Sequence, residues 1–300
     1  MRIREKTYAL IRAESARKKE ERQDIVTALR QDEKFDELLR SANSLRWDRV
    51  LKKGEEKEKA EELLMQTEEE IKSYLSEKGY TEDVLYDTAS CKLCNDTGVY
   101  QEKMCECAKR VFVELSEKRS PLLAGLPDEL GKVNYSAYKG NEKQYRKYAS
   151  FLKKMLVDGD LSFVVINGKT GTAKSYLGCV SAREYMKKDK DVLALNALQL
   201  NQKFLAYHCA FLEEKQEIWS ELSDPDLLLI DDLGVEPILN NVTIMYLYAL
   251  LVDRIDKKTI ITTNLDVMKM EERYGERILS RLLDKRKGTM MTFEGEDLRF

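Results

Sequence analysis

Phe163-Val164-Val165-Ile166-Asn167-Gly168-Lys169-Thr170-Gly171-Thr172-Ala173-Lys174-Ser175 is an apolar run that stops at a glycine-rich loop, and Tyr176, Leu177 and Val180 then read as a helix. Strand, glycine-rich loop and helix in direct succession make a phosphate-binding loop credible. The physical need is to wrap polyphosphate in backbone N–H groups at a helix N-terminus, where the dipole also favours anions. Gly168, Lys169, Thr170, Gly171, Thr172, Ala173, Lys174 and Ser175 are therefore the residues expected to hold ATP or ADP. Lys174 supplies a point charge for the β- and γ-phosphates, and the Ser175 hydroxyl is placed to ligate Mg²⁺. Ala173 stands where a glycine usually precedes the lysine. Its methyl narrows the allowed backbone angles but removes no donor, so binding is expected to survive.

Outward from this loop, four more short runs alternate with helical stretches: Val192–Leu195, Leu227–Ile230, Thr259–Thr262 and Met290–Phe293. All but the last are apolar or β-branched throughout, as expected of strands buried on both faces of a parallel sheet. The second half of the chain is thus predicted to be a doubly wound α/β domain with helices on both faces. Leu227-Leu228-Leu229-Ile230 runs into Asp231-Asp232. Two acids at the end of a buried strand are expensive unless something uses them. Beside a phosphate-binding loop, Asp231 is expected to orient the Mg²⁺ shell and Asp232 to polarise the attacking water. Thr259-Ile260-Ile261-Thr262-Thr263 ends at Asn264, a polar side chain suited to hold a lytic water or touch the γ-phosphate.

Residues 1–88 are rich in lysine and glutamate, without proline, and Ile25, Leu29, Leu38, Leu45, Leu64, Ile71 and Leu75 recur at helical intervals. Two or three amphipathic helices are predicted, serving either as a solvated face over a thin core or as a partner-docking module. Cys91-x2-Cys94 and Cys105-x-Cys107 follow, four thiols on two tight turns. Cys-x2-Cys is the usual half-site of a structural zinc, although the Cys-x-Cys half is tighter than a standard ribbon. Sulfur spacing alone leaves an iron–sulfur cluster or free thiols open. Cys179 and Cys209, flanked by apolar residues, are expected in the core.

Over the whole chain, 300 residues with 43% hydrophobic and 35% charged side chains suit one large or two modest domains and exclude a collagen-like or wholly disordered chain. A net charge of −3 does not advertise nucleic-acid binding, so any DNA contact is expected from local groups such as Lys187, Lys188 and Lys190 or Lys285, Arg286 and Lys287. His208 is the only histidine, which leaves a Ser-His-Asp mechanism almost nothing to build on. No apolar run approaches the ~20 residues of a membrane span and no signal peptide is evident, so a cytoplasmic protein without a membrane role is expected.

The order GKTGTAKS, LLLIDD, TTN, Glu276-Arg277-Ile278-Leu279-Ser280-Arg281-Leu282 and Gly295-Glu296-Asp297-Leu298-Arg299 resembles an AAA+ ATPase. More narrowly, it is similar to bacterial replicative helicase loaders of the DnaC and DnaI type and to their relatives, the IstB-type transposition ATPases. The ATPase resemblance covers about Tyr145 to Phe300, and "CKLCNDTG…CEC" resembles the zinc knuckle ahead of many loader cores. It implies a partner-binding helical domain at 1–88, a four-cysteine zinc knuckle at 89–112, a connector at 113–140 and an ATPase domain at 141–300. It also implies an arginine finger at Arg281, reaching a neighbouring subunit's ATP, and a sensor-II-like Arg299. The implied partners are a hexameric replicative helicase bound through the N-terminal helices, single-stranded DNA, and further copies of the chain. Two alternatives stand: an IstB-type transposition helper on duplex DNA, which generally lacks the knuckle, and a nucleotide-gated scaffold with negligible turnover.

Overall fold

A computed structural model describes residues 3–86, 88–137, 141–295 and 297–298. The chain divides into two compact units, residues 8–105 and residues 106–300 with the first seven.

The first unit holds α1 (Ile3–Leu29) from Tyr8 onward, α2 (Glu33–Leu51) and α3 (Glu55–Glu77). The apolar positions spaced at helical intervals meet in one small core: Leu29, Phe35, Ala42, Leu64, Ile71 and Leu75 are buried, with Ile25, Leu38 and Leu45 packed against them. Asp32 caps α2 by accepting from the Lys34 amide, and its other oxygen accepts from the Tyr74 hydroxyl at 2.7 Å. Phe35 and Tyr74 stack with centroids 4.8 Å apart, which locks α2 to α3. A two-stranded hairpin, β1 (Val99–Tyr100) and β2 (Lys103–Met104), completes the unit.

The second unit opens with α4 (Glu106–Arg119), a helix the apolar spacing did not single out, and α5 (Glu142–Asp158). Alternation then sets in: β3 (Phe163–Gly168), α6 (Lys174–Met186), β4 (Val192–Asn196), α7 (Ala197–Cys209), α8 (Leu212–Ser223), β5 (Leu227–Leu233), α9 (Thr243–Asp253), β6 (Lys258–Thr263), α10 (Val267–Tyr274), α11 (Glu276–Leu282) and β7 (Gly288–Phe293). Every apolar run expected to be a strand is one. The five strands form a single sheet in the order β4-β5-β6-β3-β7, all pairs parallel. Phe163 to Ile166 and Leu227 to Ile230 are fully buried, which is why they read as unbroken apolar runs. Because the strands run the same way, the ends of β3, β5 and β6 share one edge of the sheet, where open α/β folds bind ligands.

The opposite edge is held by Arg254, a fully buried guanidinium just past α9. It donates to the carbonyls of Leu222, Ser223, Pro225 and Lys258 and to Thr259 Oγ1, gathering the end of α8 and the starts of β5 and β6. Arg254→Ala is expected to cost at least about 3 kcal/mol, since it orphans several buried acceptors at once. Arg254→Lys recovers less than half of the loss, because a point charge lacks the guanidinium fork. Urea unfolding at unchanged m-value measures both.

Candidate nucleotide site and cysteine cluster

Residues 168–174 carry the chain from the end of β3 into α6. The loop turns so sharply that Gly168 adopts φ 150° and Gly171 φ 80°, and a Cβ on Gly168 would lie 2.4 Å from the Phe293 carbonyl oxygen. Ala173 sits at φ 56°, ψ 28°, a left-handed conformation at the helix N-cap. The glycine expected there is thus replaced by a residue that accepts strain, which the sequence alone showed only as a narrowed choice of angles. The loop is pinned from outside. The Tyr145 hydroxyl on α5 donates to the Thr172 carbonyl, and burial pushes Tyr145 up to about 12, keeping it a donor. The Leu298 amide donates to the Gly171 carbonyl at 3.0 Å.

Lys174 is 4% exposed. Its ammonium donates to the Lys169 carbonyl at 2.7 Å and to Asn264 Oδ1 at 2.9 Å, so the end of β6 meets the loop through this one group. Beside it, β5 bulges: Ile230 pairs with Ile261 and Leu233 with Thr263, so Asp231 and Asp232 together stand opposite Thr262. The extra residue is absorbed by Asp232 at φ 54°. Bulges re-aim side chains beside active sites, and this one delivers two consecutive carboxylates to one edge. Thr262 Oγ1 donates to Asp231 Oδ1 at 2.6 Å and accepts from the Asp232 amide at 2.9 Å. Burial, and then the Asp231 charge, raise the Asp232 carboxyl above its ordinary range, opposed by the Lys174 ammonium.

Lys174, Asp231, Asp232 and Asn264 therefore converge, and Ser175 follows Lys174 in the first turn of α6. Their chemistry fits a polyphosphate with a hard cation: oxygen donors for Mg²⁺, a buried ammonium, and a helix N-terminus. Thr262 and Tyr145 escaped the sequence reading. The available signal for Thr262 was a β-branched hydroxyl inside an otherwise buried strand, which must find a partner. Arg277 and Arg281 lie on α11, the first exposed and the second half-buried near Asp284, which pairs with Arg286. Arg299 falls outside the described residues. Cys179 is buried and its thiol is pushed up to about 12 by burial and by Asp231. Cys209, expected in the core, is instead exposed, because it ends α7 where the chain turns outward into exposed Phe211. Of the basic groups, Lys187 pairs with Asp128 and Lys287 with Asp256, while Lys188, Lys190 and Lys285 are exposed.

The sulfur atoms of Cys91, Cys94, Cys105 and Cys107 all lie within 4.8 Å of one another, and Cys91 and Cys105 are 3.8 Å apart. Four thiolates at about 2.3 Å from one zinc sit about 3.8 Å apart at the corners of a tetrahedron. The tight Cys-x-Cys half-site thus brings its sulfurs to the same cluster as the first pair, and the set fits a four-thiolate ion. Asp96 organises the first turn, accepting from the amides of Ser90 and Cys91 and from Ser15 of α1.

Residues 124–299 match the model of the IstB-like ATP binding protein family, more than half of the chain. Over 131 residues, 42% of the chain, it is 25% identical to the replicative helicase loader DnaC of Escherichia coli K12, and equally to that of Shigella flexneri. The chain spans about half the length of these curated relatives, 51% of each. Among solved structures it is similar to DnaI, at 17% identity and TM-score 0.45 over 60% of this chain and 93% of that one. It is also similar to DnaA of Aquifex aeolicus, at 21% identity and TM-score 0.41 over 54% and 49%.

Left-handed backbone costs an L-residue about 1–2 kcal/mol, while glycine loosens the unfolded chain by about 0.4–1 kcal/mol. Ala173→Gly is therefore expected to stabilise the protein by about 0.5–1 kcal/mol without weakening nucleotide binding. A thermal melt paired with a nucleotide titration checks this; a lowered Tm contradicts it.

Proposed function

We propose, from the premise that the chain belongs to the IstB-like ATP binding protein family, that it is an ATP-dependent DNA-replication factor that binds a hexameric replicative helicase and loads it onto single-stranded DNA. The observation that supports an ATP-driven role most is the convergence of Lys174, Asn264 and the bulged Asp231–Asp232 pair at one sheet edge. The loader role is supported by the likeness to DnaC loaders and by the helices and cysteine cluster ahead of the ATPase fold. In this reading the amides of 168–175 hold the phosphates, Lys174 neutralises the β- and γ-oxygens, and Ser175 with Asp231 holds Mg²⁺. Bound Mg²⁺ supplies further charge neutralisation on the phosphates. Asp232 orients and polarises the lytic water, with Asn264 holding its other side. Arg281 enters the site of the next copy, so hydrolysis depends on self-assembly; Arg299 serves the nucleotide of its own chain. The four cysteines hold a structural zinc.

Residues 1–88 are assigned to the helicase. Along the end of α2, Trp47, Val50 and Leu51 are each about 70% exposed on one helical face, a spacing suited to an apolar partner groove. A loader of this kind would work in the cytoplasm. No described helix is long and apolar enough to cross a membrane. A second reading, a transposition helper assembling on duplex DNA, is favoured by the family match itself.

Three outcomes are expected. Mixed with Mg²⁺, ATP and the replicative helicase of its own source, the chain forms a complex of defined mass with several copies per hexamer, lost when residues 1–88 are removed. ATP-dependent assembly on duplex DNA without a helicase complex supports the second reading instead. Turnover falls at least about a hundredfold in Lys174→Ala and Asp232→Asn. Elemental analysis finds one zinc per chain, and Cys94→Ser loses it along with the thermal stability of residues 8–105.

A further inference from the structure

Glu236 is a carboxylate only 3% exposed, four residues beyond the bulged Asp232. Nothing assigned so far uses it, and burying a carboxylate costs several kcal/mol unless its oxygens are engaged. Both are. One accepts from the Gly234 amide at 2.8 Å, closing the turn in which Gly234 takes φ 119° with Leu265 against it. The other accepts from the hydroxyl of Tyr274, and the Arg273 guanidinium both lies 3.8 Å from that oxygen and donates to the Glu236 carbonyl. Burial and the facing carboxylate push the Tyr274 phenol up, so it remains a donor.

Tyr274 is the last residue of α10, and Gly275, at φ 85°, is the corner from which α11 starts. Tyr274 is buried with Ile278 and Leu282 of α11, while Arg277 and Arg281 lie on the less buried side of that short helix. Glu236 thus joins the segment leaving the β5 carboxylates to the corner that aims α11. Its neighbour is anchored too: the Pro237 carbonyl accepts from Asn201, which accepts from Thr243.

We propose that Glu236 is a positioning residue that ties the Asp231–Asp232 turn to the α10–α11 corner and so fixes where Arg281 is presented to the neighbouring copy. The inference rests on the assignment of Arg281 as a finger acting in trans. Side chains one ångström out of place can cost about a hundredfold in rate, so a loosened corner acts on turnover and not on nucleotide affinity.

The test is complementation between full-length chains. Arg281→Ala keeps its site but has no finger; Asp232→Asn has a finger but no working site. Mixed, they recover turnover at the Arg281→Ala site. Adding Glu236→Ala to the Asp232→Asn chain is expected to lower the recovered rate by roughly a hundredfold. Added to the Arg281→Ala chain, it leaves the rate within about threefold, with ATP affinity unchanged in both placements. Glu236→Gln, which still accepts from Gly234 and reaches Tyr274, restores the rate and controls for folding. Equal loss from both placements, or none from the finger-donating chain, overturns the role of Glu236 while leaving the trans finger standing. Failure of the parent mixture to recover turnover overturns the trans finger and this role with it.

Discussion

At the edge of the sheet two residues of β5 stand opposite one of β6, and the Thr262 hydroxyl fills the mismatch by bonding to both of them. Regular pairing would send Asp231 and Asp232 to opposite faces of the sheet, one of them into an apolar layer. The bulge keeps both at the strand ends, but it gathers negative charge where little water reaches. Lys174, itself buried, provides the opposing charge and is oriented by Asn264 from the next strand. Each piece needs the others. Without the bulge the ammonium lacks nearby carboxylates, and without the ammonium Asp232 rises further.

The same constraint explains the loop. Its amides must converge, so Gly168 and Gly171 take conformations closed to side chains, and Ala173 accepts one that costs an L-residue about 1–2 kcal/mol. Such strain persists only where the surroundings impose it. Here the surroundings are Tyr145 gripping the Thr172 carbonyl, Leu298 bonded to Gly171, and β7 crowding Gly168.

Much of this was legible in the residues. Strands buried on both faces announce themselves as unbroken apolar runs, which found β3 to β6, while β7, only partly buried, was read from a shorter mixed run. Asp231, Asp232 and Asn264 at the strand ends are the residues the fold brings toward Lys174. The cysteine spacing named the four thiols that now lie together. What escaped has a common cause: partners far apart in the chain and meeting only through the fold. Thr262, Tyr145, Arg254 and Glu236 look like ordinary polar residues until burial makes their hydrogen bonds obligatory. α4 was hidden because its apolar face is short, with Ala108, Phe112 and Ser116 its buried positions. Cys209 misled for the opposite reason, since apolar neighbours near a helix end do not guarantee burial.

The order β4-β5-β6-β3-β7 puts β3 beside β6, and that adjacency brings Lys174 to Asn264. The sheet order, the bulge and the strained loop thus meet at the edge shared by β3, β5 and β6, where the proposed nucleotide site lies. The most direct test is a crystal structure with a non-hydrolysable ATP analogue and Mg²⁺. The account predicts the triphosphate seated on the amides of residues 168–175, with the ion held from Ser175 and Asp231. Nucleotide bound elsewhere, or an ordered loop whose Lys174 still spans Lys169 and Asn264 at saturating analogue with no phosphate beside it, would contradict it.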